Sequence, residues 1–200
     1  MLSPSAINTY KQCPRKYYYQ YILRLKTLEN IHLIRGSIVH TILENVFDVD
    51  VDDWSYEQAH ERLQQWLLQE LKKQWSQSSK RFWELSLSAD QLLFYYDETK
   101  MMLNNWLEYF IEKLQKTNLP FQEAFYQSKP VREQKLISKE HKVLGIIDVV
   151  EMVEERVVRV IDYKTSAKDK MTPEYELQLA IYALLINEVY GKPPEEVVIH

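Results

Sequence analysis

Three charged residues interrupt two apolar runs at a spacing that could do chemistry. Residues 143–153 and 157–164 are rich in the β-branched types that favour strands. They flank the charged patch Glu154-Glu155-Arg156 as the arms of a hairpin would. Each arm carries an aspartate in its body, Asp148 in the first and Asp162 in the second, and Lys164 follows two residues later. With a three-residue loop at Glu154 to Arg156, Val153 faces Val157 and the same register sets Asp148 directly opposite Asp162. Opposed side chains lie about 4.5–5.5 Å apart at Cβ, where like charges repel. A divalent cation removes that repulsion, and a hard ion such as Mg2+ takes carboxylate oxygens together with water and substrate phosphate.

The register decides whether such a site exists. Side chains alternate along a strand, so Leu144, Ile146, Asp148 and Val150 share one side, as do Val158, Val160, Asp162 and Lys164. A two-residue loop shifts the pairing by one and sends the two aspartates to opposite faces. The loop has no glycine for the positive φ that three-residue hairpins commonly use. Lys164, on the face of Asp162, could orient or deprotonate an attacking water and offset charge on a phosphorane-like transition state. The competing reading is a structural Asp–Lys pair at a sheet edge.

The elements that must hold these residues follow from local signals. Ser3-Pro4 opens a helix; Pro14 ends it and opens a second, through Tyr17, Tyr18, Tyr19 and Tyr21. Gly36 to Phe47 is an amphipathic helix with Ile38, Ile42 and Val46 on one stripe and Val39 and Leu43 beside it, and His40 falls on the Gly36, His40, Glu44 line. A glycine-free, tryptophan-bearing block of about 55–118 reads as a helical insert, with capping boxes at Ser55-x-x-Gln58 and Ser88-x-x-Gln91 and breaks near 76–79 and 85–88. After Pro120 the pattern turns to strands at 121–128, 131–138, 143–152 and 157–163. A helix follows from Glu174 to Tyr190, closed by Gly191, and a last strand from Glu196.

Composition bounds the class. At 200 residues, with 46% hydrophobic and 27% charged residues, the chain is one domain with an inserted helical subdomain. No run approaches the roughly 18 apolar residues of a membrane span and no secretory signal opens the chain, so a cytoplasmic protein with no membrane partner is expected. A single cysteine, Cys13, excludes an internal disulfide and an all-cysteine metal site built from this chain alone. The net charge of −4 disfavours a generally basic nucleic-acid binder. Residues 1–28, however, contain no acid and five bases: Lys11, Arg15, Lys16, Arg24 and Lys26. Cations beside tyrosines suit a groove for single-stranded DNA, with Lys11, Arg15 and Lys16 on phosphates; about half of the four tyrosines are expected in the core.

Taken in order, Ser5-x-x-x-x-Tyr10-x-x-Cys13-Pro14-x-x-Tyr17, Arg35-Gly36-x-x-x-His40, Gly145-Ile-Ile-Asp148, Ile161-Asp162-Tyr163-Lys164-Thr165 and Gln178-x-x-x-Tyr182 resemble the PD-(D/E)XK nuclease superfamily in its RecB-like exonuclease branch. That branch includes the RecB and AddB nuclease domains and the CRISPR-associated exonuclease of the fourth Cas family. The resemblance implies an α/β (α+β) fold, a restriction-endonuclease-like core of mixed sheet flanked by helices. It implies Mg2+ or Mn2+ held by His40, Asp148, Asp162 and the Tyr163 carbonyl, with Lys164 catalytic and Gln178 and Tyr182 beside the site, in contact with DNA. Taken alone, His40 is more often a satisfied, partly buried histidine. Gln178 and Tyr182 are more often a polar seam beside a core face, and Glu133 a solvated strand residue.

The implied activity is metal-dependent exonuclease cleavage of single-stranded DNA ends in repair, recombination or CRISPR adaptation, with a helicase or other repair or CRISPR proteins as partners. In many members a cysteine at the place of Cys13 joins three C-terminal cysteines on a 4Fe–4S cluster, which needs four thiolates. Either a C-terminal iron–sulfur region lies beyond residue 200, which the ending in mid-strand favours, or this is a cluster-free member with a buried Cys13. The rival functions are a nuclease-like module that binds DNA or protein without cutting, and a metal-free structural domain with Asp148 and Asp162 on different faces.

Overall fold

The computed structural model describes residues 1–153, 156–162 and 171–199, the side chains at positions 133, 153, 156–158 and 199 excepted. Contacts divide the chain into two compact units: Met1–Leu28 with Pro130–His200, and Glu29–Lys129.

The first unit is built on a four-stranded mixed sheet in sequence order: β1 (Val131–Ser138), β2 (Val143–Val153), β3 (Arg156–Asp162) and β4 (Glu196–Ile199). The first two pairings are antiparallel and β3 pairs with β4 in parallel. A parallel pair needs a crossover, supplied here by a helix over residues Pro173–Tyr190 (α8 below). Its ends are set by local chemistry. The Thr172 hydroxyl accepts from the Tyr175 amide, Pro173 occupies the first turn, and Gly191 closes the helix at φ 75°, where a side chain would strain the backbone. Ile181, Leu185 and Ile186 pack on Leu136, Ile147, Val150 and Val160 in one buried cluster. Fully burying a side chain such as Leu185 contributes about 1.5–3 kcal/mol.

The N-terminal segment belongs to this unit. α1 (Pro4–Gln12) starts as its sequence predicts, the Ser3 hydroxyl accepting from the Ala6 amide at 3.1 Å. Leu2 bridges in parallel to Val143. α2 (Pro14–Tyr17) continues into a π-helical turn at Tyr18–Ile22.

The second unit is helical: α3 (Ile31–Asn45), α4 (Tyr56–Gln77), α5 (Ser79–Glu84), α6 (Ala89–Gln115) and α7 (Phe121–Gln127). The predicted stripe is buried at Ile38, Val39, Ile42 and Leu43 on α3 and at Val46 in the 3-10 turn that follows it. Leu63, Leu67 and Leu71 bury one line of α4 at helical spacing. The Ser88 capping box forms with both of its bonds.

Three local expectations are corrected. Residues 121–128, read as a strand, form α7: Phe121, Ala124 and Phe125 are buried at i, i+3 and i+4. Phe125 packs against Phe47 and Phe110, so the helical period wins over the aromatic composition. α3 begins at Ile31, five residues before Gly36, because the Asn30 side chain accepts from the Leu33 amide and caps it there. Ser55 flanks α4 without capping it; its hydroxyl goes to Glu57 Oε2 at 3.3 Å.

Candidate active site

The two arms of the hairpin are in the register that faces the aspartates, by a route the sequence does not declare. Val153 pairs with Arg156 and Met152 with Val157, which leaves two residues between the arms. Glu151 then pairs with Arg159, so Val158 has no partner in the ladder, and Val150 and Val149 pair with Val160 and Ile161. One unpartnered residue returns the register that the shorter connection had shifted. Continued by one step beyond Val149 and Ile161, it sets Asp148 across from Asp162.

Strict alternation along β2 does not hold. Ile147 and Val150 are both fully buried in the cluster under α8, whereas Ile146 is 47% exposed. The strand changes face once between Ile147 and Val150, because the helix claims apolar side chains on both sides of Asp148. Leu144, Ile146, Asp148 and Val150 therefore do not form one continuous side.

Asp162 ends β3 as a buried carboxylate, 2% exposed. Its Oδ1 accepts from Gln178 Nε2 at 2.7 Å and from the Tyr182 hydroxyl at 3.4 Å. Gln178 and Tyr182, one turn apart on α8, are also bonded to each other at 2.8 Å. The same hydroxyl donates to the Ile146 carbonyl at 2.8 Å. Tyr182 is itself only 4% exposed. Burial, then the charge of Asp162, and to a smaller degree that of Asp148, hold its pKa well above the usual tyrosine value. Both carboxylates thus act on one phenol.

Room for that phenol comes from Gly145. A Cβ built there would lie 2.8 Å from Leu185 Cδ1 and 3.0 Å from Tyr182 Cε1. Neither this role nor the Ile146 carbonyl is anticipated from the motif, although a glycine inside a strand is itself a signal of close approach.

The remaining predicted residues distribute as follows. Tyr163 and Lys164 lie outside the described residues. His40, half-buried on α3, belongs to the helical unit. α3 is fixed there by Arg35, a buried side chain whose Nε donates to Thr99 Oγ1 and whose Nη1 donates to Glu98 Oε2, both at 2.9 Å. Lys11, Arg15 and Lys16 are exposed on the N-terminal segment. None of Tyr17, Tyr18, Tyr19 and Tyr21 is buried; Tyr17 and Tyr21 stack on each other at 5.2 Å.

The donor set suits a hard cation. Among the described residues no three His, Cys, Asp or Glu side chains come together as a ready-made metal group. Mg2+ does not require one, since one or two carboxylates with water and substrate phosphate suffice. An iron–sulfur cluster does not fit the chain as it stands: Cys13, half-exposed, is its only thiol where four are needed.

A family model described as the PD-(D/E)XK nuclease superfamily matches residues 1–199. The chain belongs to the PD-(D/E)XK nuclease superfamily. One of the subunits of an ATP-dependent helicase/deoxyribonuclease from Streptococcus uberis is 29% identical over 172 residues, which cover 82% of this chain and 14% of that protein. This match supports placing the chain in the RecB-like branch of the superfamily. The chain is therefore a nuclease-superfamily unit spanning about one seventh of the relative it matches. Its mixed sheet with flanking helices is the expected core, and no helix among the described residues is long and apolar enough to cross a membrane.

Proposed function

We propose that the chain is a metal-dependent deoxyribonuclease that hydrolyses phosphodiester bonds at single-stranded DNA ends, working with a helicase in repair, recombination or CRISPR adaptation. The observation that carries this reading is the buried Asp162 carboxylate, fixed by Gln178 at the end of β3, one residue beyond the Val149–Ile161 pair whose register points to Asp148. Asp148 and Asp162 would hold Mg2+ or Mn2+, with His40 and the Tyr163 carbonyl as further ligands by resemblance. The chemistry such an ion supplies when bound is activation of water and neutralisation of charge on the scissile phosphate.

The chain's own residues do the positioning. Gln178 spends its amide on Asp162 Oδ1, which leaves the carboxylate one orientation. Tyr182 ties that pair to the β2 backbone through Ile146. Gln178 and Tyr182 therefore serve Asp162 more directly than they serve DNA. Lys164 is assigned the orientation or deprotonation of the attacking water.

The test is degradation of end-labelled single-stranded DNA with Mn2+ or Mg2+, comparing this chain with Lys164→Ala. Metal-dependent cleavage that the substitution abolishes supports the reading. Binding of DNA and of Mn2+ without cleavage would replace it by a non-cleaving nuclease-like module. A rise in melting temperature with Mn2+ that Asp148→Ala removes reports the metal site without relying on activity.

A further inference from the structure

The N-terminal segment does more than present cations. Arg15, Lys16, Tyr19, Leu25 and Lys26, with Cys13, wall an open pocket of about 490 Å3, within the roughly 300–1,000 Å3 of small-molecule sites. Two backbone features shape it. At Tyr18–Ile22 the helix widens into a π turn, with the Leu23 amide reaching back to the Tyr18 carbonyl at 2.9 Å. Arg24 then takes a left-handed conformation, φ 53°, and the Leu25 amide bonds to the Tyr19 carbonyl at 3.0 Å. The chain is folded back so that residues 25–27 form the wall beside Tyr19. Single π turns occur often at functional sites, and left-handed non-glycine residues persist where the surroundings enforce them.

The side chains fit one chemical class. Tyr19 is 40% exposed, and its phenol oxygen accepts from Arg15 Nε at 3.2 Å and Nη2 at 3.1 Å, which pins the ring. Tyr17 and Tyr21 stack on each other, and Tyr10 meets Tyr17 edge-on at 5.5 Å. Those rings form their own cluster, while Tyr19, which meets Tyr18 at 5.9 Å and carries the Arg15 guanidinium 5.5 Å from its ring centre, lines the pocket with Leu25. Lys16 and Lys26 bring positive charge to the same walls, and no acidic residue lies anywhere in residues 1–28. An apolar wall containing an aromatic ring, with cations around it and no carboxylate, is complementary to a base joined to a phosphate.

We infer that this pocket seats one nucleotide of a DNA single strand, its base against Tyr19 and Leu25 and its phosphate at Lys16 and Lys26. The inference rests on the deoxyribonuclease reading and gives it a strand-holding subsite away from the carboxylates.

The experiment is fluorescence anisotropy in EDTA, which stops hydrolysis, with labelled oligo-dT and an abasic strand of equal length. The wild-type chain should prefer oligo-dT, and Tyr19→Ala should lose about tenfold in affinity for it while binding the abasic strand as before. Lys26→Ala should weaken both strands alike and flatten the salt dependence. Tyr19 is exposed, so an unchanged melting temperature of Tyr19→Ala shows that folding is intact; Tyr19→Phe, which keeps the ring, should retain the preference for bases. Equal binding of the two strands by the wild type, or an equal loss of both in Tyr19→Ala, overturns the pocket. Adding Mn2+ to the same mixtures separates the two ideas. Cleavage without any preference for bases removes the pocket alone, whereas base-dependent binding without cleavage keeps the pocket and removes the hydrolytic reading.

Discussion

Tyr182→Phe should invert its effect on stability between neutral and alkaline pH. At pH 7 the variant loses a buried hydroxyl that donates to the Ile146 carbonyl at 2.8 Å and accepts from Gln178 Nε2 at 2.8 Å. A net hydrogen bond is worth about 1 kcal/mol, and Phe should be less stable by about that amount. Burial and the charge of Asp162 raise the pKa of Tyr182 in the folded protein. The folded phenol therefore keeps its proton where the unfolded one has lost it. The stability tied to that proton is complete below the ordinary tyrosine value near 10 and is lost as pH rises through the folded value. Each pH unit in that window removes up to about 1.4 kcal/mol from the wild type and nothing from Phe. The two stability curves should cross near pH 11, about one unit above the ordinary tyrosine pKa. All other titrating groups are shared, so the difference between the two proteins isolates this one. Urea midpoints should be read by far-ultraviolet circular dichroism, because Trp54, Trp66, Trp75, Trp83 and Trp106 all lie in the helical unit and leave the sheet unit dark in tryptophan fluorescence. A gap that stays constant from pH 7 to pH 11 would refute the reasoning.

Gly145→Ala should lower the melting temperature of the sheet unit by an amount equivalent to about 1–3 kcal/mol, since its Cβ would press on Leu185 and Tyr182, and it should cut nuclease activity further by displacing the ring that ties Asp162 to β2. Ser88→Ala should destabilise the helical unit by about 1 kcal/mol in tryptophan-monitored urea unfolding, whereas Ser55→Ala should stay within about 0.5 kcal/mol because Ser55 caps nothing. Glu98→Ala takes the carboxylate from buried Arg35 and should cost about 2 kcal/mol in the same assay, less than the 3–5 of a fully buried pair because Glu98 is half exposed.

The signals that read correctly are those in which a few neighbouring residues decide the outcome. Ser3 and Ser88 cap because their hydroxyls reach amides three residues on, and Gly191 stops α8 because glycine takes the left-handed cap without strain. The misreadings occur where distant contacts override local composition. Phe121 and Phe125 look like strand residues until Phe47, from the far side of the helical unit's sequence, and Phe110 on the preceding helix offer Phe125 something to pack on. Arg35 was legible only as part of a motif. Its burial depends on Glu98, Thr99 and Met102 from α6, more than sixty residues away.

The carboxylate pair shows how two wrong premises can still meet at the right register. From sequence, a three-residue loop aligns Asp148 with Asp162 and a two-residue loop separates them. The chain combines the shorter connection with an unpartnered Val158, and the extra residue moves every later pair back by one. Valine carries no signal for such a bulge, since no positive φ demands a glycine there. The alternation along β2 also slips once between Ile147 and Val150, under the demand of α8 for apolar side chains on both sides of Asp148. Each departure alone would be expected to spoil an aligned site. The bulge lies at Val158, opposite Glu151 and Met152, and the register it restores carries through Val150–Val160 and Val149–Ile161 to the step before the two aspartates.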